Sequence, residues 1–166
     1  MAVLTLTMMG NPVLHQKAKR VRKIDESIQK LIDDMIETME CTGGAAGLAA
    51  PQVGIPLQVI VIDLPESGLI TLINPQIVKS SGEHEVIEGC LSLPGYRGLI
   101  KRAESVTVKG RDRSGKEVRI KGEGLLAQAL QHEVDHINGV VYVDHVESMD
   151  NLFKAEPEDE DASGNI

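Results

Sequence analysis

The stretch GLLAQALQHEVDHI, residues 124–137, decides how this sequence is interpreted. It predicts a helix, because Asn138-Gly139 follows directly as a good C-terminal stop. The helix carries the pattern H-E-x-x-H at His132, Glu133 and His136. Residues four apart share one face of a helix, so both imidazoles can bind one metal ion. A metal lowers the pKa of a bound water to about 7, and Glu133 is placed to take its proton.

A catalytic metal needs a third protein ligand and an open position. No His follows Gly139 at the spacing of the extended zinc-protease motif, and downstream only His145 and Glu147 are candidates. Upstream, Cys90 lies in EGCLS, residues 88–92, where a thiolate could bind a metal. Taken alone, Cys90 also fits a small buried apolar residue, and the two His could be ordinary core or surface residues.

Elsewhere the sequence predicts one more helix and several strands. Apolar residues at helical spacing run from Ile24 to Met39, with Asp25 as N-cap and Gly43-Gly44 as the stop. Strands are predicted at 57–64, 69–73, 76–79, 105–109, 117–121 and 140–143. The fold class is therefore α+β, with antiparallel or mixed sheets packed around the H-E-x-x-H helix and a long amphipathic N-terminal helix. We predict one catalytic domain over residues 1–153 and an acidic, disordered tail over 154–166.

Composition excludes several other classes of function. Aromatic residues make up 2% of the 166 residues, so the core is aliphatic and a stacking platform for single-stranded nucleic acid is disfavoured. The net charge is -8, five acids lie within residues 156–161, and we expect no basic patch for phosphate backbones. Two cysteines, Cys41 and Cys90, are too few for a disulfide framework, although one bridge between them is an alternative. We expect no membrane span and no export signal.

Three segments together resemble those of the peptide deformylases. They are GLAAPQ at residues 47–52, EGCLS at 88–92 and QHEVDH at 131–136. The resemblance extends from about Val3 to Val146, which is nearly all of the chain except the tail. It implies a hydrolase of protein biosynthesis that removes the N-formyl group from the formyl-methionine of nascent polypeptides and releases formate.

The resemblance also implies a role for individual residues. Cys90, His132 and His136 would bind the metal, and Glu133 would be the general base and acid. The Gln52 amide and the Leu91 backbone N–H would stabilise the oxyanion, where one donor contributes about 3 kcal/mol. Substrate-binding positions implied in the same way are Gly47, Leu48, Gly89, Arg97, Leu125, Gln128 and Ala129.

Expectations for metal, partners and location follow from the same resemblance. One thiolate and two imidazoles suit iron, zinc or nickel. We expect one divalent ion per chain, with Fe2+ favoured in the cell and Zn2+, Ni2+ or Co2+ as substitutes. The expected partners are N-formyl-methionyl peptides, with no DNA and no membrane. A transient ribosome encounter is open, but the acidic tail argues against it. The bacterial cytoplasm is the expected location, although a mature organellar enzyme would have the same features.

One departure from the family pattern lies in the first segment. The family begins it Gly-x-Gly, whereas this chain has Ala45 at the first glycine position. An added side chain there could alter the loop or its approach to substrate, with Gly43 and Gly44 compensating.

Three alternative functions remain at this point. A zinc endopeptidase would take its third ligand from beyond His136. A non-catalytic zinc-binding module would close the fourth metal position. A divergent relative with lost activity has only Ala45 in its favour.

Overall fold

The protein is described by a computed structural model over residues 2–155. The elements in this range are α1 (Glu26–Glu40), β1 (Gly47–Ala49), β2 (Val59–Leu64), β3 (Gly68–Ser81), β4 (His84–Cys90), β5 (Leu93–Arg102), β6 (Ser105–Arg111), β7 (Glu117–Glu123), α2 (Gly124–Ile137) and β8 (Leu152–Lys154). Short 3-10 turns lie at Pro12–His15, Ala50–Val53, Tyr142–His145 and Met149–Asn151.

The strands form two antiparallel sheets. One has five strands in the order β1-β2-β3-β6-β7, and the other has three in the order β4-β5-β8. The predicted hairpin is present as β6 and β7, which pair from Ser105 opposite Glu123 to Arg111 opposite Glu117. Two helices packed on antiparallel sheets confirm the α+β fold class.

Helix α1 forms where the sequence pattern predicts it. The Asp25 side chain accepts a hydrogen bond from the Ile28 backbone N–H and so caps the first turn. The buried face of the helix packs against β1 and β2. Its fully or nearly fully buried apolar residues are Ile28, Ile32, Met35 and Met39.

Helix α2 packs across the five-stranded sheet. Its apolar face joins the core formed by β2, β3 and β6 and contains Ala127, Ala129, Leu130, Val134 and Ile137. His132, Glu133 and His136 are nevertheless buried as well. A helix that is buried nearly all round must pair its polar side chains inside the protein. For His132 and His136 those partners come from the three-stranded sheet, as described below, whereas Glu133 has none among the described residues.

Two predicted strands differ from the structure. The segments 69–73 and 76–79 form one strand, β3, whose pairing with β6 shifts register between Ile73 and Gln76. Asn74 takes a positive φ of 54° there, so the chain passes the irregularity without ending the strand. Residues 140–143 are not a strand but lead into a 3-10 turn, in which the Val141 N–H donates to the Asp144 carboxylate.

The last strand lies further along the chain than predicted. Strand β8 pairs with Tyr96, Arg97 and Gly98 of β5. Lys154 belongs to this strand, so order continues past the predicted domain end at residue 153. The acidic run at 156–161, on which the predicted tail rests, lies outside the described residues.

Two further predictions concern cysteines and membranes. Cys41 is an exposed free thiol and Cys90 is a buried one, so the alternative disulfide is absent. Across residues 2–155, neither helix has the length and hydrophobicity that crossing a bilayer demands.

Candidate metal centre

Three potential metal ligands converge in the interior. Cys90 ends β4, while His132 and His136 lie one turn apart on α2. Their ligand atoms all lie within 4.8 Å of one another, and each residue is at most 1% exposed. Cys90 Sγ is 3.5 Å from His136 Nε2, which is 3.1 Å from His132 Nε2. The two sheets and α2 thus bring together residues that are 46 positions apart in the chain.

The donor set fits one metal ion. In a tetrahedral site, the known metal–ligand lengths place two imidazole nitrogens about 3.3 Å apart and a sulfur and a nitrogen about 3.6 Å apart. The Cys90–His136 and His136–His132 separations are close to these values, and Cys90 and His132 lie within 4.8 Å of each other. Burial lowers the pKa of His136 well below its ordinary value, and the positive charges of His132 and Arg102 add to this effect. A neutral imidazole is the form that binds a metal.

Behind His132 lies a buried carboxylate that the sequence analysis did not select. The His132 Nδ1–H donates to Glu88 Oε1 at 2.7 Å, which leaves Nε2 facing Cys90 and His136. Arg102 donates two hydrogen bonds to Glu88, at 2.7 and 2.8 Å. Burial raises the pKa of Glu88, but these bonds outweigh burial and lower it to about 2. Glu88 is therefore ionised and holds the ring of His132 in place.

The same arginine extends the network to the surface. Arg102 Nη1 lies 2.6 Å from Asp135 Oδ2, and the same oxygen is 2.9 Å from His145 Nε2. His145 thus contacts Asp135 rather than the metal centre. Glu147, the other downstream candidate ligand, pairs with Lys101 at the surface. Of the candidates for the third ligand, the structure places Cys90 beside the two His.

We expect Arg102→Met to destabilise the protein by about 3 to 5 kcal/mol, because it leaves the Glu88 carboxylate charged in the interior without its arginine and with only the His132 Nδ1–H as a partner. The free energy of unfolding from urea titration of the metal-loaded protein measures this. The exposed Arg119→Met is the matched control and should change it by less than about 0.5 kcal/mol. Adding Glu88→Gln to Arg102→Met should recover part of the loss, and a loss below about 1 kcal/mol in the single variant would contradict this account.

Glu133 lies next to the metal ligands with its charge uncompensated. Its side chain is fully buried, and neither carboxylate oxygen has a hydrogen-bond partner among the described residues. Burial raises the pKa of Glu133 to about 7; His132 opposes this rise and Glu88 adds to it. A carboxyl group with a pKa near neutrality can both accept and donate a proton at physiological pH. An unpaired buried carboxylate is costly to a fold and is typical of a functional group.

Gly47 on β1 makes room for that carboxylate. A Cβ at position 47 would lie 2.5 Å from Glu133 Oε2 and 3.0 Å from its carboxyl carbon. Ala45, two residues earlier, is buried and has no positive φ. The departure at Ala45 therefore imposes no backbone strain, whereas a side chain at Gly47 would displace Glu133.

We expect Gly47→Ala to lower kcat about 100-fold for the amide hydrolysis that the resemblance implies, since a displacement of about 1 Å at a reacting group has an effect of that size. Steady-state kinetics on a formyl peptide measures it. Ala45→Gly is the control and should stay within about twofold of wild type. Equal kcat values for wild type, Gly47→Ala and Ala45→Gly would show that the Glu133 carboxylate can shift without loss of activity.

Gln52 points its amide at the ligands. The Ala49 N–H donates to Gln52 Oε1 at 3.0 Å, so the nitrogen faces the other way. Gln52 Nε2 lies 3.4 Å from Cys90 Sγ and 3.3 Å from Ser92 Oγ. Leu91, which follows the ligand Cys90, has its side chain buried in the core against α1. Both predicted oxyanion donors are thus beside Cys90.

The predicted substrate-binding residues have different surroundings. Leu48 and Ala129 are fully buried core residues with no exposed surface. Gln128 is nearly buried and donates to the Ile87 carbonyl at 3.1 Å, whereas Leu125 is 45% exposed.

Gly89 and Arg97 contact each other across the β4–β5 hairpin. A Cβ at position 89 would overlap the Arg97 guanidinium, which is itself buried and donates to the Tyr96 carbonyl. Glycine at 89 is therefore needed for Arg97 to pack there, and Arg97 contacts the chain next to the ligand Cys90.

Comparisons with known proteins agree with this geometry. The family model for polypeptide deformylase matches residues 3–152. A peptide deformylase from Dehalococcoides mccartyi strain CBDB1 is 55% identical over 161 residues, with 96% of each chain covered. One from Halothermothrix orenii is 52% identical over 147 residues, which cover 88% of this chain and 95% of that one.

Solved structures give the same result. A peptide deformylase from Legionella pneumophila has a TM-score of 0.85 at 47% identity, covering 90% of this chain and 89% of that one. A peptide deformylase from Synechococcus elongatus in complex with actinonin has a TM-score of 0.83 at 45% identity, covering 87% and 79%.

Proposed function

This chain belongs to the polypeptide deformylase family, and we propose that Cys90, His132 and His136 hold the metal ion of its reaction. That reaction is hydrolysis of the formyl amide on the N-terminal methionine of nascent peptides, which releases formate and a free amine. The observation that carries the assignment of residues is the buried three-donor cluster with the unpaired Glu133 carboxylate beside it.

The metal we propose is Fe2+ in the cell, with Zn2+, Ni2+ or Co2+ as substitutes. A set of one thiolate and two imidazoles accepts each of these ions, so geometry alone does not choose among them. When bound, such an ion supplies a Lewis acid that makes water nucleophilic at neutral pH and polarises the formyl carbonyl. Glu88 would fix the His132 ring toward the ion through its hydrogen bond to Nδ1.

Glu133 would carry the proton through the reaction. As a carboxylate it accepts a proton from the attacking water, whose oxygen forms the new bond to the formyl carbon. It then donates that proton to the methionine nitrogen as the C–N bond breaks, so that the leaving group departs as a neutral amine. The raised pKa of Glu133, about 7, suits both halves of this cycle.

Gln52 and Leu91 would stabilise the charge that develops on the formyl oxygen. The Gln52 amide nitrogen is held toward the ligands because Ala49 fixes its oxygen. Leu91 follows Cys90 directly in the chain, and its backbone N–H is the second proposed donor. Donors fixed before the reaction need no reorganisation, which is why each is worth about 3 kcal/mol in the transition state.

The peptide substrate would bind along β1. This strand is at the edge of the five-stranded sheet and pairs only with β2 in the described part of the chain. An extended peptide can add to such an edge through backbone hydrogen bonds, here to Gly47 and Leu48. Leu125 and the nearly buried Gln128 lie one to two turns before His132 on α2 and would line the pocket for methionine, with the fully buried Ala129 packed behind them. Gly89 and Arg97 would bound the other side.

The proposed partners are N-formyl-methionyl peptides and nascent chains, and the proposed location is the bacterial cytoplasm. The Synechococcus relative binds actinonin, and we propose that this chain binds it at the same cluster. Thermal unfolding of metal-loaded protein with and without actinonin would test this, with a higher melting temperature expected only when actinonin and metal are both present.

The deciding experiment follows release of formate from formyl-Met-Ala-Ser by anaerobically prepared, metal-loaded protein. Acetyl-Met-Ala-Ser and an unformylated longer peptide are matched controls. Formate release without cleavage of either control supports the proposed function. Cleavage inside the longer peptide would instead identify an endopeptidase, and inactivity with a full complement of metal would identify a binding module or an inactive relative.

A further inference from the structure

A row of basic side chains lies on the segment 17–23, which the proposed reaction does not use. Lys17, Lys19, Arg20, Arg22 and Lys23 are all exposed, whereas Ala18 and Val21 between them are buried. Five positive charges within seven residues stand against a net charge of -8 for the whole chain. The expectation that the protein has no basic patch was therefore wrong, because it rested on net charge and not on local clustering.

The segment is held rigidly by backbone hydrogen bonds on both sides. The Lys19 N–H donates to the Pro56 carbonyl at 2.8 Å, and the Gln58 N–H donates to the Lys19 carbonyl at 2.9 Å. The Val21 N–H donates to Asn74 Oδ1 at 2.8 Å, and Asn74 Nδ2 donates back to the Val21 carbonyl at 2.9 Å. Asn74 is the residue with positive φ in β3, and its side chain holds the segment through these two hydrogen bonds to Val21. Side chains presented from a fixed backbone lose less entropy on binding.

The basic row borders an open groove. A cavity of about 1100 Å³ is lined by residues 19–24 together with Asn74 and Arg111. A smaller cavity of about 200 Å³ shares Arg20, Asn74 and Arg111 with it and adds Lys109. The two cavities adjoin at these shared residues and are together called the groove here; its charged lining is basic except for Glu117.

Little negative charge offsets the basic row. Within residues 2–155, none of its five side chains has an acidic partner within 4.0 Å. Hydrogen bonds from Ser27 and Ile28 lower the pKa of Asp25, and the charge of Lys23 adds a smaller contribution. Glu117 pairs with Lys109. The positive charges at the centre of the groove, on Arg20 and Arg22, remain available to an anion.

We propose that this groove, lined by Lys19, Arg20, Arg22, Lys23 and Arg111, binds the phosphate backbone of RNA. Five basic side chains spread over seven residues suit a linear polyanion better than a single phosphate. No aromatic side chain lines the groove, so recognition is of backbone charge and not of base sequence. A concave groove accommodates a strand, whereas a flat lipid surface would meet only its rims. The choice of RNA over DNA rests on the proposed function, because nascent chains are made beside ribosomal RNA.

The test measures binding of a fluorescent single-stranded RNA of about 20 nucleotides by anisotropy over a range of salt concentrations. For about five phosphate contacts, log K should fall with log salt with a slope of about -3.5. The double variant Arg20→Glu/Arg22→Glu should bind roughly fiftyfold more weakly at about 50 mM salt and show a slope shallower by about 1.4. The matched control Lys79→Glu/Lys121→Glu reverses two exposed charges outside the groove and should bind like wild type.

Formate release from formyl-Met-Ala-Ser is measured on the same proteins and should be unchanged in both double variants. If both double variants weakened RNA binding equally, the loss would come from the change in net charge and not from the groove, and the proposal would be overturned. Binding to vesicles rich in anionic lipid without binding to RNA would overturn it in favour of a membrane surface. Because hydrolysis and RNA binding are separate readouts, failure of one does not depend on failure of the other.

Discussion

Glu133→Gln is expected to lower kcat/KM for formyl-Met-Ala-Ser by roughly 1000-fold while leaving the metal in place. General acid–base catalysis contributes about 100- to 10000-fold, and the buried carboxylate of Glu133 would supply it in both directions here. Glutamine has nearly the same shape but can neither accept nor donate the proton. Because Glu133 has no hydrogen-bond partner among the described residues, the substitution breaks no described contact.

Steady-state formate release and metal content per chain, measured on the same preparation, check this expectation. Glu123→Gln is the matched control, since Glu123 is exposed directly before the same helix. It should retain wild-type activity. If Glu133→Gln kept more than about a tenth of wild-type activity at full metal content, the proton would have to move through another group. A non-catalytic metal module predicts a change in stability alone.

Helix boundaries could be predicted because their causes are local. Asp25 caps α1 through the Ile28 N–H, and the apolar spacing that follows defines its buried face. Helix α2 begins and ends where its pattern and the Asn138-Gly139 stop predict. These features involve residues within a few positions of one another, so short-range sequence patterns carry them.

The strand predictions were wrong where a hydrogen bond from a side chain outside the predicted strand determines the backbone conformation. The valines at 140–143 favour a strand by propensity, but the Asp144 carboxylate bonds the Val141 N–H and begins a 3-10 turn. Asn74-Pro75 was predicted to end a strand, but the two hydrogen bonds between Asn74 and Val21 support a continuous strand through it. Neither partner is apparent from the segment that it controls.

The same limit applies to the metal centre. The spacing of His132 and His136 is a helical property and could be predicted, whereas the position of Cys90 depends on how two sheets meet α2. In the register of β4 against β5, Glu88 lies opposite Gly98 and Arg102 lies opposite His84, so strand pairing alone does not predict the ion pair between Glu88 and Arg102. Glu88 stands two residues before Cys90, and that proximity was the available signal for it. Nothing in the sequence around Arg102 indicated its role.

Cys90→Ser is expected to weaken metal binding by well over 100-fold. Formate release should fall in proportion to the metal that is lost. Loss of an outer hydrogen-bond partner of a metal ligand already costs 10- to 100-fold in affinity, and here a ligand itself is lost. A serine hydroxyl does not ionise at neutral pH and is a poor replacement for a thiolate. Metal per chain after dialysis against a chelator of graded strength, with formate release on the same samples, measures the effect.

Cys41→Ser supplies the control, because Cys41 is the other free cysteine and is exposed at the end of α1. Cys41→Ser shows whether removing any thiol has an effect, as distinct from removing a metal ligand. It should leave both metal content and activity unchanged. Full retention of metal by Cys90→Ser would mean that the third ligand comes from elsewhere, as in an endopeptidase. His145 and Glu147, held by Asp135 and Lys101 in the structure, would have to leave their present partners to provide it. The cluster of possible metal ligands in the described residues contains Cys90 and neither of these two, and so Cys90 is the residue on which metal binding should depend.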